Sequence, residues 1–220
     1  MGFVVVVASV ALMAWLVTQC RKPNGPLGKA ILTAMNVGHS PLTDWGLGKV
    51  PIHGGDTILD VGCGGGRTVQ KLAAMTPNGK VFGVDYSKAS VAASRHANAA
   101  DIQCGHVRIE EASVAALPFP DRTFDVVTAV ETHYYWPDLV ASFAEVLRVL
   151  KPGGTILIVA ETFREGRSAG ATGAVMRMLR GKLLSLDEHR DLLERAGFVD
   201  ATTSRMPGKP WMCAVGRRPS

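Results

Sequence analysis

The fold of this chain is decided by residues 58–66, which read Ile-Leu-Asp-Val-Gly-Cys-Gly-Gly-Gly. An apolar run that ends in an acid and opens into glycines is typical of a buried strand that leads into a ligand-binding turn. Glycine tolerates positive φ and lets the backbone approach a ligand closely. Residues 67–75 follow with a helical pattern, and the start of such a helix offers unpaired N–H groups to a ligand. The stretch therefore predicts a nucleotide-binding strand, turn and helix.

A second acidic residue strengthens this interpretation. Asp85 ends the next apolar run, residues 81–84. An acid about 20 residues beyond a glycine loop is placed to accept hydrogen bonds from the two hydroxyls of a ribose. We therefore expect a cofactor that contains a nucleoside.

Two downstream segments narrow the class of protein. Residues 117–127 read Leu-Pro-Phe-Pro-Asp-Arg-Thr-Phe-Asp-Val-Val, and residues 149–154 read Val-Leu-Lys-Pro-Gly-Gly. With the Gly-x-Gly-x-Gly loop after Asp-Val, these segments resemble the class I S-adenosylmethionine-dependent methyltransferases, in particular a small-molecule subgroup of the type 11 methyltransferases. The resemblance covers roughly residues 31–216 and implies S-adenosylmethionine (SAM) as the cofactor.

The fold class that follows is α/β. We expect a Rossmann-like, doubly wound sheet of seven strands, mostly parallel with an antiparallel last strand, and with helices on both faces. The predicted strands are residues 57–61, 80–85, 106–110, 125–130, 155–160, 199–204 and 211–216. The predicted helices after the loop are residues 67–75, 89–99 behind a Ser87 cap, 137–149 with Pro137 in the first turn, and 185–195 behind a capping box.

The resemblance also implies which residues hold the cofactor. Asp60 is expected to order the loop and to receive the amino-acid portion of SAM, and Asp85 to bind its ribose. The full predicted set is Asp60, Gly62, Cys63, Gly64, Asp85, Tyr86, Ala112, Ser113 and Glu131. The chain departs from the family at Ser113, where an acid that binds the adenine amino group is usual. Glu110 and Glu111 remain alternatives for that role.

Candidate catalytic residues follow the fourth strand, where open α/β sheets bind their ligands. His133 is the first candidate for a general base, because an unperturbed imidazole titrates near neutral pH. Tyr134 and Tyr135 are candidates for acceptor contacts, and ordinary packing is the alternative for these aromatic residues. His39, in a segment before the glycine loop that also resembles the subgroup, is the further catalytic candidate.

Composition agrees with a single globular enzyme domain. The chain has 220 residues, of which 20% are charged and 47% hydrophobic, and a net charge of +5. Four cysteines without a Cys-x-x-Cys pair predict neither a metal site nor a redox couple, and they fit a cytoplasmic location. No interleaved basic and aromatic pattern points to nucleic acid as a partner. The oligomeric state is not readable from the sequence.

The N-terminus predicts a membrane anchor. Residues 3–19 are uncharged and mostly apolar, nearly the length that spans a bilayer, and Arg21 and Lys22 follow them. This flank places the enzyme body in the cytoplasm. A helix packed on the domain is the alternative. The predicted divisions are 1–22 as the hydrophobic segment, 23–55 as a helical lid and 56–220 as the methyltransferase domain. Residues 164–184 predict a basic amphipathic helix.

The predicted function is therefore methyl transfer from SAM to a small-molecule or lipid-like acceptor. Two alternatives stay open at this point. One is a nicotinamide-dependent oxidoreductase, and the other is a non-catalytic nucleotide-binding protein at the membrane.

Overall fold

A computed structural model describes residues 38–161, 163–164 and 181–220, together with residues 25, 28, 173 and 176. The predicted membrane anchor, most of residues 23–37 of the predicted lid and most of the predicted helix at 164–184 lie outside the described residues. Residues 181–184 are not helical. Within the described ranges, no helix combines the length and the apolar character needed to cross a bilayer.

Strands and helices alternate along the described part of the chain. The strands are β1 Thr57–Val61, β2 Lys80–Asp85, β3 Val107–Glu111, β4 Phe124–Val130, β5 Leu150–Ala160, β6 Val199–Arg205 and β7 Met212–Arg217. The helices are α1 Ser40–Leu47, α2 Arg67–Met75, α3 Lys88–Ala97, α4 Ala99–Gln103, α5 Leu139–Val149 and α6 Leu186–Arg195, with a 3₁₀ turn at His133–Tyr135.

The strands form one seven-stranded sheet in the order β3-β2-β1-β4-β5-β7-β6. β7 runs antiparallel to both of its neighbours, while the pairs from β3 to β5 are parallel. The predicted fold class and the antiparallel last strand are thus confirmed. The strand order reverses between β1 and β4, and ligands of open α/β sheets bind beside the carboxyl ends of the strands at such a point.

Apolar clusters cover both faces of the sheet. Leu139 and Phe143 of α5 and Leu193 of α6 are buried in one cluster. Leu42 and Leu47 of α1 lie in the other, with residues of β1 and α2. Residues 40–47, which belong to the segment predicted as a lid, therefore share a core with the sheet.

The helix predicted at 89–99 is divided in two at Asn98. The Asn98 side-chain amide donates to the Ser94 carbonyl at 2.8 Å and to the Gly66 carbonyl at 3.2 Å. This side chain ends α3 and ties it to the glycine loop, which a periodicity pattern cannot reveal.

Two further element ends differ from prediction by more than a residue. α5 begins at Leu139, because the Asp138 carboxylate accepts the Ala141 N–H at 3.1 Å and caps the helix; Pro137 therefore precedes the cap. β5 begins at Leu150, five residues before the predicted 155, where it pairs with Phe124 across a register shift in β4. The remaining strand ends agree within one residue.

Candidate functional site

A cavity of about 370 Å³ opens at the carboxyl ends of the central strands. Its walls combine the glycine loop with the segments that follow β2, β3 and β4. Eight of the nine predicted cofactor residues line it, namely Gly62, Cys63, Gly64, Asp85, Tyr86, Ala112, Ser113 and Glu131. Asp60 does not.

The glycine loop is docked against the end of β2. The Gly62 and Cys63 N–H groups both donate to the Val84 carbonyl, at 2.8 and 3.0 Å. Gly62 has φ 77° and Gly66 has φ 85°, in the left-handed region that favours glycine. The loop geometry therefore depends on residue type at these two positions.

The Asp85 carboxylate is positioned by two hydrogen bonds from the protein backbone. One carboxylate oxygen accepts the Gly64 N–H at 3.0 Å, and the other accepts the Ser87 N–H at 2.8 Å. Burial raises the pKa of Asp85, and these two backbone hydrogen bonds oppose that shift. Because a carboxylate oxygen has more than one acceptor site, both oxygens can also accept from a diol in the cavity.

Asp60 is a buried residue near the end of β1 and is not among the residues that line the cavity. It is 2% exposed, and its carboxyl accepts the Thr128 hydroxyl at 2.7 Å. Burial raises its pKa to about 7. The structure fits the expected ordering role, since this hydrogen bond joins β1 to β4. The second expectation, contact with the amino-acid portion of a cofactor, stays a prediction, because the Asp60 carboxyl is buried and is not among the groups that line the cavity.

The part of the cavity wall that follows β3 is formed by Ala112, Ser113 and Val114, and it contains no carboxylate. The Ser113 hydroxyl accepts the Ala115 N–H at 3.2 Å, and the Ala112 N–H donates to the Asp85 carbonyl at 3.1 Å. Glu110 pairs with Arg108 at 2.6 Å. Neither Glu110 nor Glu111 is among the residues that line the cavity.

His133 turns away from the cavity into the core. It is 1% exposed, and its Nε2 lies 2.9 Å from Nε2 of His189. His189 Nδ1 lies 2.7 Å from the Ser185 carbonyl, so this nitrogen carries the proton and His189 Nε2 is the acceptor. His133 Nε2 is then the donor, and its Nδ1 is buried without a partner among the described residues. The prediction of a base at His133 does not fit this position, because the 3₁₀ turn points the ring into the protein.

The His133 environment predicts a loss of stability in acid. Burial, and then His189, lower the pKa of His133 well below its usual value. The unfolded chain binds this proton near pH 6.5, so the stabilisation is complete above that pH and is lost as the pH falls below it, by up to ~1.4 kcal/mol per pH unit. In the variant His133→Gln, urea unfolding at pH 7.5, 6.5 and 5.5 should show a flatter pH dependence. Parallel profiles for the two proteins would contradict this assignment.

Tyr134 is not among the residues that line the cavity. It is 3% exposed, and its hydroxyl donates to the Glu131 carboxylate in a short hydrogen bond. Burial raises its pKa well above the usual value, so it is a poor proton donor or acceptor for a substrate. Tyr135, the other tyrosine that the sequence suggested for acceptor contacts, does line the cavity, and Trp136 lines it as well.

His39, the third predicted catalytic residue, does line the cavity. Its Nε2 lies 3.4 Å from Oε1 of Glu161, which follows β5. Glu131, which follows β4 with φ 55°, accepts the Glu161 N–H at 2.5 Å. One imidazole and two carboxylates thus lie with ligand-type atoms within 4.8 Å of one another. Glu161 belongs to no recognised motif and was not predicted, although an acid at the end of β5, the strand beside β4, was a usable signal.

Comparison with known proteins agrees with this architecture. A family model described as a methyltransferase domain matches residues 58–154. The 27-O-demethylrifamycin SV methyltransferase of Amycolatopsis mediterranei is 35% identical over 163 residues, which are 71% of this chain and 59% of that protein. The demethylmenaquinone methyltransferase of Symbiobacterium thermophilum is 38% identical over 104 residues, 47% of this chain and 41% of that protein.

The chain thus spans less than two thirds of the length of these relatives. Among solved structures, human N-acetylserotonin methyltransferase in complex with SAM superposes with a TM-score of 0.72 at 17% identity. The match covers 87% of this chain and 56% of that one. At this identity the superposition speaks for a shared fold.

Proposed function

Since the chain belongs to the class I SAM-dependent methyltransferases, we propose that it transfers a methyl group from SAM to a hydroxyl of a small organic acceptor. One observation carries the proposal. The glycine loop, Asp85 and His39 line a single cavity, and Glu161 contacts this His39, so the residues expected to hold a nucleoside and a candidate base face the same space.

The cofactor half is formed by the residues that the family resemblance implies. Asp85 would accept the ribose hydroxyls, and Gly62 and Gly64 would let the backbone approach the cofactor. Tyr86, 43% exposed at the rim, would pack on the adenine, with Ala112 and Ser113 beside it. Glu131, which directly follows β4, also lines this cavity. SAM supplies an activated methyl group on a sulfonium sulfur, so the protein's part is to position the acceptor and exclude water.

The acceptor half is bounded by aromatic and aliphatic side chains. Val130, Tyr135, Trp136 and Pro137 line it, together with the polar groups of His39 and Thr132. Such a surface suits a mainly apolar molecule with one hydroxyl to be methylated. The relatives named for a rifamycin precursor and for demethylmenaquinone support a small-molecule acceptor here.

Binding and turnover test this function. Calorimetry with SAM, S-adenosylhomocysteine and NADH should show binding of the first two alone. Transfer of label from methyl-labelled SAM to a panel of phenols and hydroquinones should then yield a labelled ether. Binding of NADH in preference to SAM would indicate the oxidoreductase alternative. SAM binding without transfer to any acceptor would indicate the non-catalytic one.

The membrane proposal is tested separately, since residues 3–19 lie outside the described part of the chain. A lipid-like acceptor and attachment to the cytoplasmic membrane face are supported by the apolar run and by Arg21 and Lys22 after it. A chain that starts at residue 21 should leave the membrane fraction and keep its affinity for SAM, because the residues that line the cavity all lie at or beyond His39. A truncated chain that fails to fold would support the packed-helix alternative.

A further inference from the structure

We propose that Glu161 is a positioning residue, which holds the imidazole of His39 as the general base for the acceptor hydroxyl. The inference deepens the methyl transfer proposed above and rests on it. It adds a residue, Glu161, that no sequence motif of the family identified in this chain.

The backbone of His39 is fixed by the helix that it precedes. The His39 carbonyl accepts both the N–H and the hydroxyl of Thr43, each at 2.9 Å, and Thr43 is buried. Helix α1 in turn packs against β5, where a side chain at Gly46 would come within 2.3 Å of Val159. Because Glu161 directly follows β5, the same contact brings the imidazole and the carboxylate together.

The contact selects one tautomer of His39. A carboxylate only accepts, so Nε2, at 3.4 Å from Glu161 Oε1, is the nitrogen that carries a proton. Nδ1 then carries the lone pair that can take a proton from the acceptor. A carboxylate that orients an imidazole and stabilises its protonated form is a recurring arrangement in enzymes that activate hydroxyl groups.

The proposed step balances as a simple displacement. The acceptor O–H gives its proton to His39 Nδ1, and the oxygen lone pair forms the new bond to the methyl carbon of SAM. The carbon–sulfur bond breaks, and its electron pair stays on sulfur as the neutral thioether of S-adenosylhomocysteine. The imidazolium returns its proton to solvent after the product has left.

Glu161, and not Glu131, is the carboxylate that meets the imidazole. The Glu131 oxygens accept the Glu161 N–H and the Tyr134 hydroxyl, so this side chain is already held by two donors. Glu131 acts on His39 through its charge. In the described part of the chain, no Lys or Arg forms an ion pair with either carboxylate.

The pKa shifts of His39 and Glu161 agree with the assignment of Glu161 as the partner of His39. The Glu161 contact raises the pKa of His39 above 6.5, burial opposes the shift, and the Glu131 charge adds to it. His39 in turn lowers the pKa of Glu161. The charged groups that face His39 are thus Glu131 and Glu161, and both favour the imidazolium that forms when the acceptor gives up its proton.

Two measurements on Glu161→Gln test the inference. First, NMR titration of the imidazoles, with the His39 signal assigned through His39→Gln, should show the His39 pKa above 6.5 in the parent protein and lower in the variant. Second, kcat/KM should rise with pH through the His39 pKa, and in Glu161→Gln this rise should move to lower pH with a plateau reduced on the order of 10- to 10²-fold. His39→Gln should lose 10²- to 10⁴-fold. SAM affinity should stay unchanged in both.

Control variants separate positioning from a general effect on folding. Asp44→Asn changes another acid of the same region, whose partner is Lys71, and it should keep the His39 titration and the rate. Glu161→Asp should recover part of the loss. An unchanged His39 pKa in Glu161→Gln would overturn the inference while leaving methyl transfer intact. A cation requirement that EDTA reveals, with cation binding lost in Glu161→Gln, would also overturn it and make the cluster a metal site. If no methyl transfer were detected in any variant or in the parent protein, the proposed function itself would be contradicted.

Discussion

Replacement of Asp85 by alanine should weaken SAM binding by about 2–4 kcal/mol, which calorimetry measures directly. The variant loses the acceptors proposed for the ribose diol. It also loses the oxygens that accept the Gly64 and Ser87 N–H groups, so the loop keeps only its backbone hydrogen bonds to the Val84 carbonyl at the end of β2. Hydrogen bonds to a charged group contribute roughly 1.5–3 kcal/mol each, and water compensates for part of them.

Glu111→Ala is the matched control for this experiment. Glu111 is the register partner of Asp85 on the adjacent strand β3, and it ends that strand as Asp85 ends β2. Its side chain is exposed and is not part of the cavity wall. SAM affinity should therefore stay the same in Glu111→Ala. An equal loss in both variants would remove the ribose assignment of Asp85 and return Glu111 to the list of cofactor residues.

Gly62→Ala should cost about 2–5 kcal/mol of folding stability and most of the SAM affinity. Gly62 has φ 77°, and a Cβ there would lie 2.1 Å from the Thr132 hydroxyl oxygen. Left-handed φ costs an L-residue about 1–2 kcal/mol, and overpacking adds about 1–3 kcal/mol. Because Thr132 also lines the cavity, its displacement should distort the binding site. Urea unfolding and calorimetry measure the two losses separately.

Gly105→Ala isolates the backbone part of this effect. Gly105 has φ 73°, nearly the value at Gly62, and a Cβ there meets no atom within 4 Å. This variant should lose only about 1–2 kcal/mol of stability and no SAM affinity. If Gly62→Ala were no worse than Gly105→Ala, the close approach of the loop to Thr132 would not matter for folding or binding.

The cofactor half of the site could be predicted because its residues follow one another closely in the chain. The loop, Asp85 and the strands around them are local patterns of apolar runs, glycines and strand-end acids. A parallel sheet then brings the strand ends together whatever the other details of packing are. Eight of the nine predicted cofactor residues therefore line one cavity.

Asp60 was the exception in that set, for a reason that the sequence pattern hides. It is the last acid before the glycines, but in a strand successive side chains point to opposite faces of the sheet. Its carboxyl accepts the hydroxyl of Thr128 on β4. Only the pairing of β1 with β4, in which Asp60 and Thr128 are register partners, provides this donor.

By itself, the sequence determined the fold class, the family and most of the residues that line the cavity, because each depends on local residue patterns. Tertiary structure decided which candidate base lines this cavity. A 3₁₀ turn buries His133 against His189, while the packing of α1 on β5 brings His39 to Glu161. In both cases the contact is between residues far apart in the chain. No local sequence pattern encodes the direction of a side chain across such a distance.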